Sequence, residues 1–201
     1  MERTAGTFLL WGLFGSLGLF DVCELQAQAT SHPRQKIEEF HEQLLTVMRM
    51  SGGFEVRRAA LSPLVHDLFD VATISRISLG RSWKTLDERA KRTFIELLES
   101  LIVATYASRF DQYSGQTFRS ISTERTPRGW VVKTELLLSD GEQVRLDYYL
   151  REGHVYNIVA EGVSDLSLRR ADYNSIIKLE GYDALIAHIS KNIEELNPSN
   201  E

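Results

Sequence analysis

The spacing of hydrophobic and polar positions along this chain changes once, near residue 115. Before that point apolar residues recur every three or four positions, and the first such stripe is Ile37, Phe40, Leu44 and Met48. This spacing is typical of amphipathic helices. After residue 115 apolar and polar residues alternate, which is typical of strands with one buried face. The pattern therefore predicts helices first and a sheet afterwards.

The clearest helix is predicted for residues 86–110. Thr85 and Glu88 have the spacing of a capping box at its start. An earlier helix is expected to begin at Ser62, with Pro63 in its first turn, where a missing N–H has no consequence. The long helix has one continuous apolar face, made of Phe94, Leu97, Leu98, Leu101, Ile102, Thr105 and Tyr106.

Four strands are predicted, at residues 116–125, 130–138, 144–151 and 154–161. Their connections are short, which indicates antiparallel hairpins. One face of the third strand is apolar and consists of Val144, Leu146, Tyr148 and Leu150. Helical spacing returns at residues 166–179 and 183–195. The predicted fold is α+β, with helices packed on one face of a four-stranded antiparallel sheet.

The amino terminus has the pattern of a secretory signal peptide. Residues 8–20 form an uncharged apolar run that is short for a membrane span, and AQA at 27–29 fits a cleavage site. We therefore expect cleavage after Ala29, which leaves residues 30–201 as a single domain. The only cysteine, Cys23, lies in the leader, so the expected mature protein has no disulfide. A leader without later cysteines indicates the bacterial periplasm.

Candidate catalytic groups are few. Ser164 follows Gly162 as in a nucleophile elbow, but Leu166 stands where the second glycine is needed, so a helix cap is the simpler interpretation. The five histidines are scattered and form no metal-binding pattern. The net charge of −5 gives no indication of a nucleic-acid partner. These observations favour a binding protein without cofactors or metals over an enzyme.

Aromatic residues are distributed over the helical and the strand half. Their spacing favours an ordinary core, and the alternative is a cavity between sheet and helices that holds an apolar ligand. Periodicity alone leaves both alternatives open. The set comprises Trp83, Phe94, Tyr106, Phe110, Trp130 and Tyr148.

Two motifs carry a resemblance to a known family. Residues 78–110 read SLGRSWKTLDERAKRTFIELLESLIVATYASRF, and residues 161–164 read EGVS. They resemble the signature helix and the motif after the last strand in the MlaC family, also called the toluene-tolerance or auxiliary transport component family. Asn157 and Gly153 depart from the common phospholipid carriers. The ending GVSDLSLRRADY resembles the hopanoid-associated HpnM branch.

The resemblance implies a periplasmic lipid carrier that is not an enzyme. Such a protein would be a monomer that moves a phospholipid or hopanoid between an inner-membrane ABC transporter and an outer-membrane complex or membrane surface. The lipid tails would enter a cavity between sheet and helices. Its wall is expected to include Leu79, Trp83, Phe94, Leu98, Leu101, Ile102, Tyr106, Val132, Leu136, Leu146 and Tyr148.

Arg169 and Arg170 have two possible roles. Neighbouring residues on a helix point about 100° apart, so the pair is poorly placed to clamp one anion. They form local ion pairs on a solvated face, or one of them docks a membrane-bound partner or meets a polar cargo head. Two further alternatives remain for the whole chain: an enzyme of a similar cone-shaped α+β fold that acts on a hydrophobic small molecule, and a periplasmic interaction module with a solid core.

Overall fold

The computed structural model describes the backbone of residues 21–197 and the side chains from His32 onward. The described part begins with four α-helices and one 3₁₀ helix, followed by a meander of strands and two final α-helices. The helices are α1 (Asp21–Met48), α2 (Gly53–Leu68), α3 (Val71–Leu79), a 3₁₀ helix (Ser82–Thr85), α4 (Glu88–Arg109), α5 (Asp165–Glu180) and α6 (Tyr182–Glu195). The strands are β1 (Thr117–Thr126), β2 (Gly129–Leu137), β3 (Gln143–Arg151), β4 (His154–Ala160) and β5 (Val163–Ser164).

The predicted leader falls mostly outside the part of the chain that the structure describes. The apolar run at residues 8–20 is not among the described residues. Helix α1 begins at Asp21 and continues across the expected cleavage point after Ala29. Between residues 21 and 197, no helix combines the length and the apolar character that a membrane crossing requires.

The sheet is antiparallel throughout, and its strand order follows the chain from β1 to β5. The predicted α+β class with an antiparallel sheet is therefore confirmed. The sheet has a fifth strand, which the sequence pattern missed because β5 contains only two residues. Val163 of this strand pairs with Ala160, and Ser164 pairs with Val159.

Two Glu-Gly turns shape the end of the meander. Glu152-Gly153 joins β3 to β4, and Glu161-Gly162 joins β4 to β5. In both turns each residue has positive φ, 51° and 80° in the first and 49° and 80° in the second. Positive φ at two successive positions is the requirement of the tight type I′ hairpin. The second turn directs β5 back along β4, which fixes where α5 begins.

The apolar face of the sheet lies against the helices, as the alternation predicts. Tyr148 pairs with Val132 on one side and with Ile158 on the other. Buried residues of the core come from all six α-helices of the described chain and from strands β2 to β4. Its fully buried members include Ile37, Leu44, Leu61, Leu98, Val132, Leu150 and Val155.

Two predicted helix starts are wrong. Helix α2 begins at Gly53, and Ser62 and Pro63 lie inside it on the exposed side. The buried residues Phe54, Leu61 and Val65 share the other side, so core packing carries the helix past the proline, although an internal proline removes one backbone hydrogen bond.

The second wrong start is that of α4. Its cap is Asp87, whose carboxylate accepts a hydrogen bond from the Ala90 N–H at 2.7 Å. Thr85 ends the preceding 3₁₀ helix instead, and its hydroxyl donates to the Ser82 carbonyl at 2.8 Å. Either side chain could cap a helix. Because Thr85 is engaged in the 3₁₀ helix, Asp87 caps α4.

Candidate functional site

A cavity of about 320 Å³ lies between the apolar face of the sheet and the helices α4 and α5. It falls at the lower end of the range of ligand pockets, about 300–1,000 Å³. The wall on the sheet side comes from three adjacent strands and consists of Leu136, Val144, Leu146, Tyr148, Tyr156, Ile158 and Ala160.

The register of the strands brings these wall residues into contact. Leu136 pairs with Val144, and Leu146 pairs with Ala160. Directly opposed residues on one sheet face have Cβ atoms about 5 Å apart. The sheet therefore offers one continuous apolar surface to the cavity.

An aromatic cluster forms part of the helical wall. The ring of Tyr106 stacks on Phe110 with centroids 5.6 Å apart and meets the edge of Phe69 at 5.9 Å. The ring centroid of Phe40, on α1, lies 5.5 Å from that of Tyr106 and 6.0 Å from that of Phe69. These interlocked rings give the wall a defined shape, because aromatic side chains have few rotatable bonds.

Tyr148 has a polar partner behind the wall. His41 Nε2 and the Tyr148 hydroxyl share a hydrogen bond of 3.0 Å, and the imidazole stacks on Phe118 with centroids 3.9 Å apart. Burial lowers the pKa of His41 to about 3 and raises the pKa of Tyr148. Both groups are therefore neutral near pH 7, and the hydrogen bond satisfies them without introducing a charge.

One end of the cavity is polar. Its groups come from the second half of α4, from β4 and from the start of α5, namely Thr105, Arg109, Asn157, Asp165 and Arg169. The Arg169 side chain is only 15% exposed, and its Nε donates to Asp165 Oδ2 at 2.7 Å. Burial acts to lower the pKa of Arg169, but the neighbouring Asp165 carboxylate outweighs it and raises that pKa. Arg169 is therefore a permanent cation.

The EGVS motif holds this end together. Ser164 caps α5, because its Oγ accepts a hydrogen bond from the Ser167 N–H at 3.2 Å. The same hydroxyl donates to Asn157 Oδ1 at 3.0 Å, and Asn157 Oδ1 also accepts from the Leu166 N–H at 3.2 Å. The expected cap is thus confirmed, and its effect is to fix the first turn of α5 against β4.

The expected wall residues divide into two groups. Those that lie on the cavity wall are Ile102, Tyr106, Leu136, Leu146 and Tyr148. Those that lie elsewhere are Leu79, Trp83, Phe94, Leu98, Leu101 and Val132. The reason is the length of α4: its first half packs within the helical layer, where Phe94 contacts Tyr173 and Tyr182, and only its second half faces the cavity.

Trp83 and Val132 are displaced for different reasons. Trp83 lies in the 3₁₀ helix and is not on the cavity wall; the Lys91 ammonium is 5.7 Å from its ring centroid. Val132 does face the helices, but it is fully buried beside Tyr148 in the packed part of the interface. The alternation along a strand therefore predicts which residues face the helices, but it does not predict which of them line the cavity and which are packed in the core.

Several wall residues were not anticipated from the sequence. Val144 shares a face with Leu146 and Tyr148, so the strand alternation contains the signal for it. Ile158 and Ala160 follow the same alternation on β4. Tyr156 has the same parity on β4, Thr105 belongs to the stripe on α4, and Phe110 belongs to the aromatic set. The remaining ones have no pattern of their own and meet only through the tertiary fold; they are Phe69, Ile74, Arg109, Asn157, Asp165 and Leu166.

The two neighbouring arginines point to different surroundings. Arg169 lies on the cavity wall and also donates from Nη1 to the Tyr173 hydroxyl at 3.3 Å. Arg170 is exposed, and its carbonyl accepts a hydrogen bond from Asn174 at 2.6 Å. The expected local ion pair is present for Arg169 with Asp165.

A second concave region, of about 580 Å³, lies between α2 and α4. Its lining is largely charged or polar and includes His66 and Glu99, which approach to 3.1 Å. This chemistry does not suit an apolar ligand. In the part of the chain with described side chains, no cluster of His, Cys, Asp and Glu is arranged to hold a metal ion.

Comparison with known proteins gives one family and one fold. The family model described as "MlaC protein" matches residues 28–191. Among solved structures, a phospholipid-binding protein from Ralstonia solanacearum, determined in complex with a phospholipid, superimposes with a TM-score of 0.71. The two sequences are 18% identical, and the match covers 84% of this chain and 98% of that one. At this identity the likeness shows a shared fold.

Proposed function

The chain belongs to the MlaC family, and from this premise we propose that it is a periplasmic lipid-binding carrier. In this proposal the apolar part of one lipid occupies the cavity between the sheet and helices α4 and α5. The protein moves its cargo without chemical change. The observation that carries the proposal is the cavity itself, whose sheet wall is apolar and continuous.

The alternatives fit the cavity less well. A solid-core interaction module has no use for an apolar space of about 320 Å³ inside its core. An enzyme would need a free acid or base on the wall. On the described wall the carboxylate is Asp165, and its 2.7 Å ion pair with Arg169 suits a structural role. The Ralstonia solanacearum protein of the same fold, solved with a phospholipid, also supports lipid binding.

The energetics explain why a carrier is needed. Moving one methylene group out of water is worth about 0.8 kcal/mol, so a two-chain lipid with roughly 30 methylenes gains about 24 kcal/mol. Unassisted passage through water is therefore negligible. A carrier only has to match the apolar environment of the membrane, because tighter binding would prevent release.

The size of the cavity indicates that loading widens it. At roughly 30 Å³ per water molecule, about 320 Å³ corresponds to about ten water-sized groups. A methylene group is of similar size, so a two-chain lipid needs several times this volume. We propose that α4 and α5 separate from the sheet as the tails enter. These helices bear most of the non-sheet wall.

The route and the cargo class follow from the family resemblance and are part of the proposal. Residues 1–29 would direct export, and the carrier would exchange lipid with an inner-membrane transporter and an outer-membrane complex. The HpnM-like ending favours a hopanoid, and the family in general favours a phospholipid. The exposed Arg170 is available for docking, whereas Arg169 is held within the cavity wall.

The direct test is the lipid content of the protein purified from a bacterial periplasm without detergent. Native mass spectrometry should find one lipid per protein, and solvent extraction should identify it. Protein that carries no lipid from the cell, and acquires none from vesicles containing phospholipid and hopanoid, would contradict the proposal.

A further inference from the structure

We propose that Tyr106, Arg109 and Arg169, at the polar end of the cavity, bind the phosphate of an anionic lipid head group. This inference rests on the proposed carrier function and deepens it by naming the residues that recognise a charged head group. The lipid would lie with its tails along the apolar sheet wall and its phosphate at the junction of α4 and α5.

The three residues are brought together by the fold. Tyr106 and Arg109 lie one turn apart on α4, and Arg169 lies on the first turns of α5. Arg109, Arg169 and Asp165 line the same cavity as Tyr106, and the charges of all three act on the Tyr106 phenol. The polar groups of the wall therefore form one cluster and are not scattered along the cavity.

The charges of this cluster favour an anion. It contains two cations, Arg109 and Arg169, against the single carboxylate of Asp165. That carboxylate pairs with Arg169, and among the described side chains none pairs with Arg109. The Oδ1 atom of Asn157 accepts the two hydrogen bonds that hold α5 in place, and this side chain adds no negative charge to the cluster. An aspartate could accept the same bonds but would cancel the remaining positive charge.

The Tyr106 hydroxyl lacks a partner in the described part of the protein. It lines the cavity and accepts or donates no hydrogen bond there, unlike Tyr148, which is paired with His41. Burial raises the pKa of Tyr106, so the phenol keeps its proton and can donate. The hydroxyl is open to the cavity, where a phosphate oxygen would accept its hydrogen bond.

Arg169 is oriented before any ligand binds. Its Nε is fixed by Asp165 and its Nη1 by Tyr173, which leaves Nη2 without a hydrogen-bond partner among the described residues. Arg109 is exposed at the end of α4 and can adjust its position. One fixed and one adjustable guanidinium suit a phosphate, whose oxygens accept paired N–H donors.

The test compares two lipids that share their acyl chains, phosphatidylglycerol and the uncharged diacylglycerol. The main variant is Arg109→Gln, because Arg109 has no ion pair to lose within the described residues. We expect its affinity for phosphatidylglycerol to fall roughly 10- to 100-fold, the range for a hydrogen bond to a charged group. Its affinity for diacylglycerol should stay unchanged. Tyr106→Phe should give a smaller loss of the same selectivity.

The control is Arg92→Gln, which removes the same charge from an exposed position of α4 that is not on the cavity wall. It should bind both lipids like the wild type. Inorganic phosphate should fail to displace phosphatidylglycerol; displacement would overturn the inference in favour of a site for free phosphate. Equal wild-type affinity for both lipids, or equal effects of Arg109→Gln and Arg92→Gln, would overturn the head-group site alone. Failure to bind either lipid would overturn the carrier function as well.

Discussion

At the scale of single residues, the cavity wall depends on polar groups that stay uncharged. His41 is 3% exposed and lies between Phe118 and Tyr148. Its hydrogen bond gives the Tyr148 hydroxyl a partner, and its neutral imidazole adds no charge beneath the cavity wall. The same logic explains why charge is confined to the far end of the cavity, where Asp165 offsets Arg169.

His41 should make the folded protein sensitive to acid. Its pKa is about 3 in the folded state against an ordinary value of 6.5, so the unfolded chain takes up a proton at a pH where the folded protein does not. The free energy of unfolding should therefore be highest above pH 6.5 and fall toward pH 3. The loss should be on the order of 1 kcal/mol per pH unit. Urea unfolding at pH 7 and pH 4.5 measures it.

The matched variant is His41→Gln, whose amide can still bond to the Tyr148 hydroxyl but does not titrate. The Glu38 carboxylate acts to raise the pKa of His41 and is present in both proteins. The variant should lose clearly less stability between the two pH values than the wild type does. Parallel pH profiles for the two proteins would show that His41 is not the buried titrating group.

At the scale of elements, α4 has two functions along its length. Its first half is core, with Phe94 and Leu98 fully buried, and its second half contributes Ile102 and Tyr106 to the cavity wall. The position of the wall residues depends on where the helix begins, because a shifted start rotates every later side chain by 100° per residue. Asp87 sets that start.

Replacing the cap should destabilise the protein measurably. Asp87→Ala removes the acceptor for the Ala90 N–H and the favourable charge at the helix start, which together cost about 1 kcal/mol of unfolding free energy. Thr85→Ala is the comparison, since its hydroxyl bonds only within the 3₁₀ helix. Chemical denaturation should show the larger loss for Asp87→Ala. A larger loss for Thr85→Ala would mean that α4 starts as the capping-box pattern suggests.

The elements were predictable from sequence where a period extends over many residues. The stripe on α4 and the alternation on β3 gave the helix, the strand and their buried faces. The signals failed where they are short: β5 has two residues, and Asp87 and Thr85 are competing caps two positions apart. Leu98 and Ile102 belong to one stripe, yet only Ile102 lines the cavity, because periodicity is the same for a packed and a hollow interior.

At the scale of the whole molecule, the sheet and the helices do not fill the space between them completely. The packed part of the interface, around Leu44, Val132 and Leu150, holds the two layers together. The cavity lies beside it, next to the start of α5, where the EGVS turn and its cap fix the helix to β4. The proposed widening during loading would thus occur at one end while the packed core stays intact.

The most direct test of lipid binding in this cavity is to fill it. Ala160→Trp places a large side chain on the cavity wall, whereas Val159→Trp places the same side chain one residue earlier on β4, opposite Asp147 on the other face. The measurement is bound lipid per protein after purification from cells, with thermal unfolding to verify the fold. We expect Ala160→Trp to remain folded and carry a small fraction of the wild-type lipid, and Val159→Trp to carry the normal amount. A folded Ala160→Trp protein with as much lipid as Val159→Trp would contradict the account.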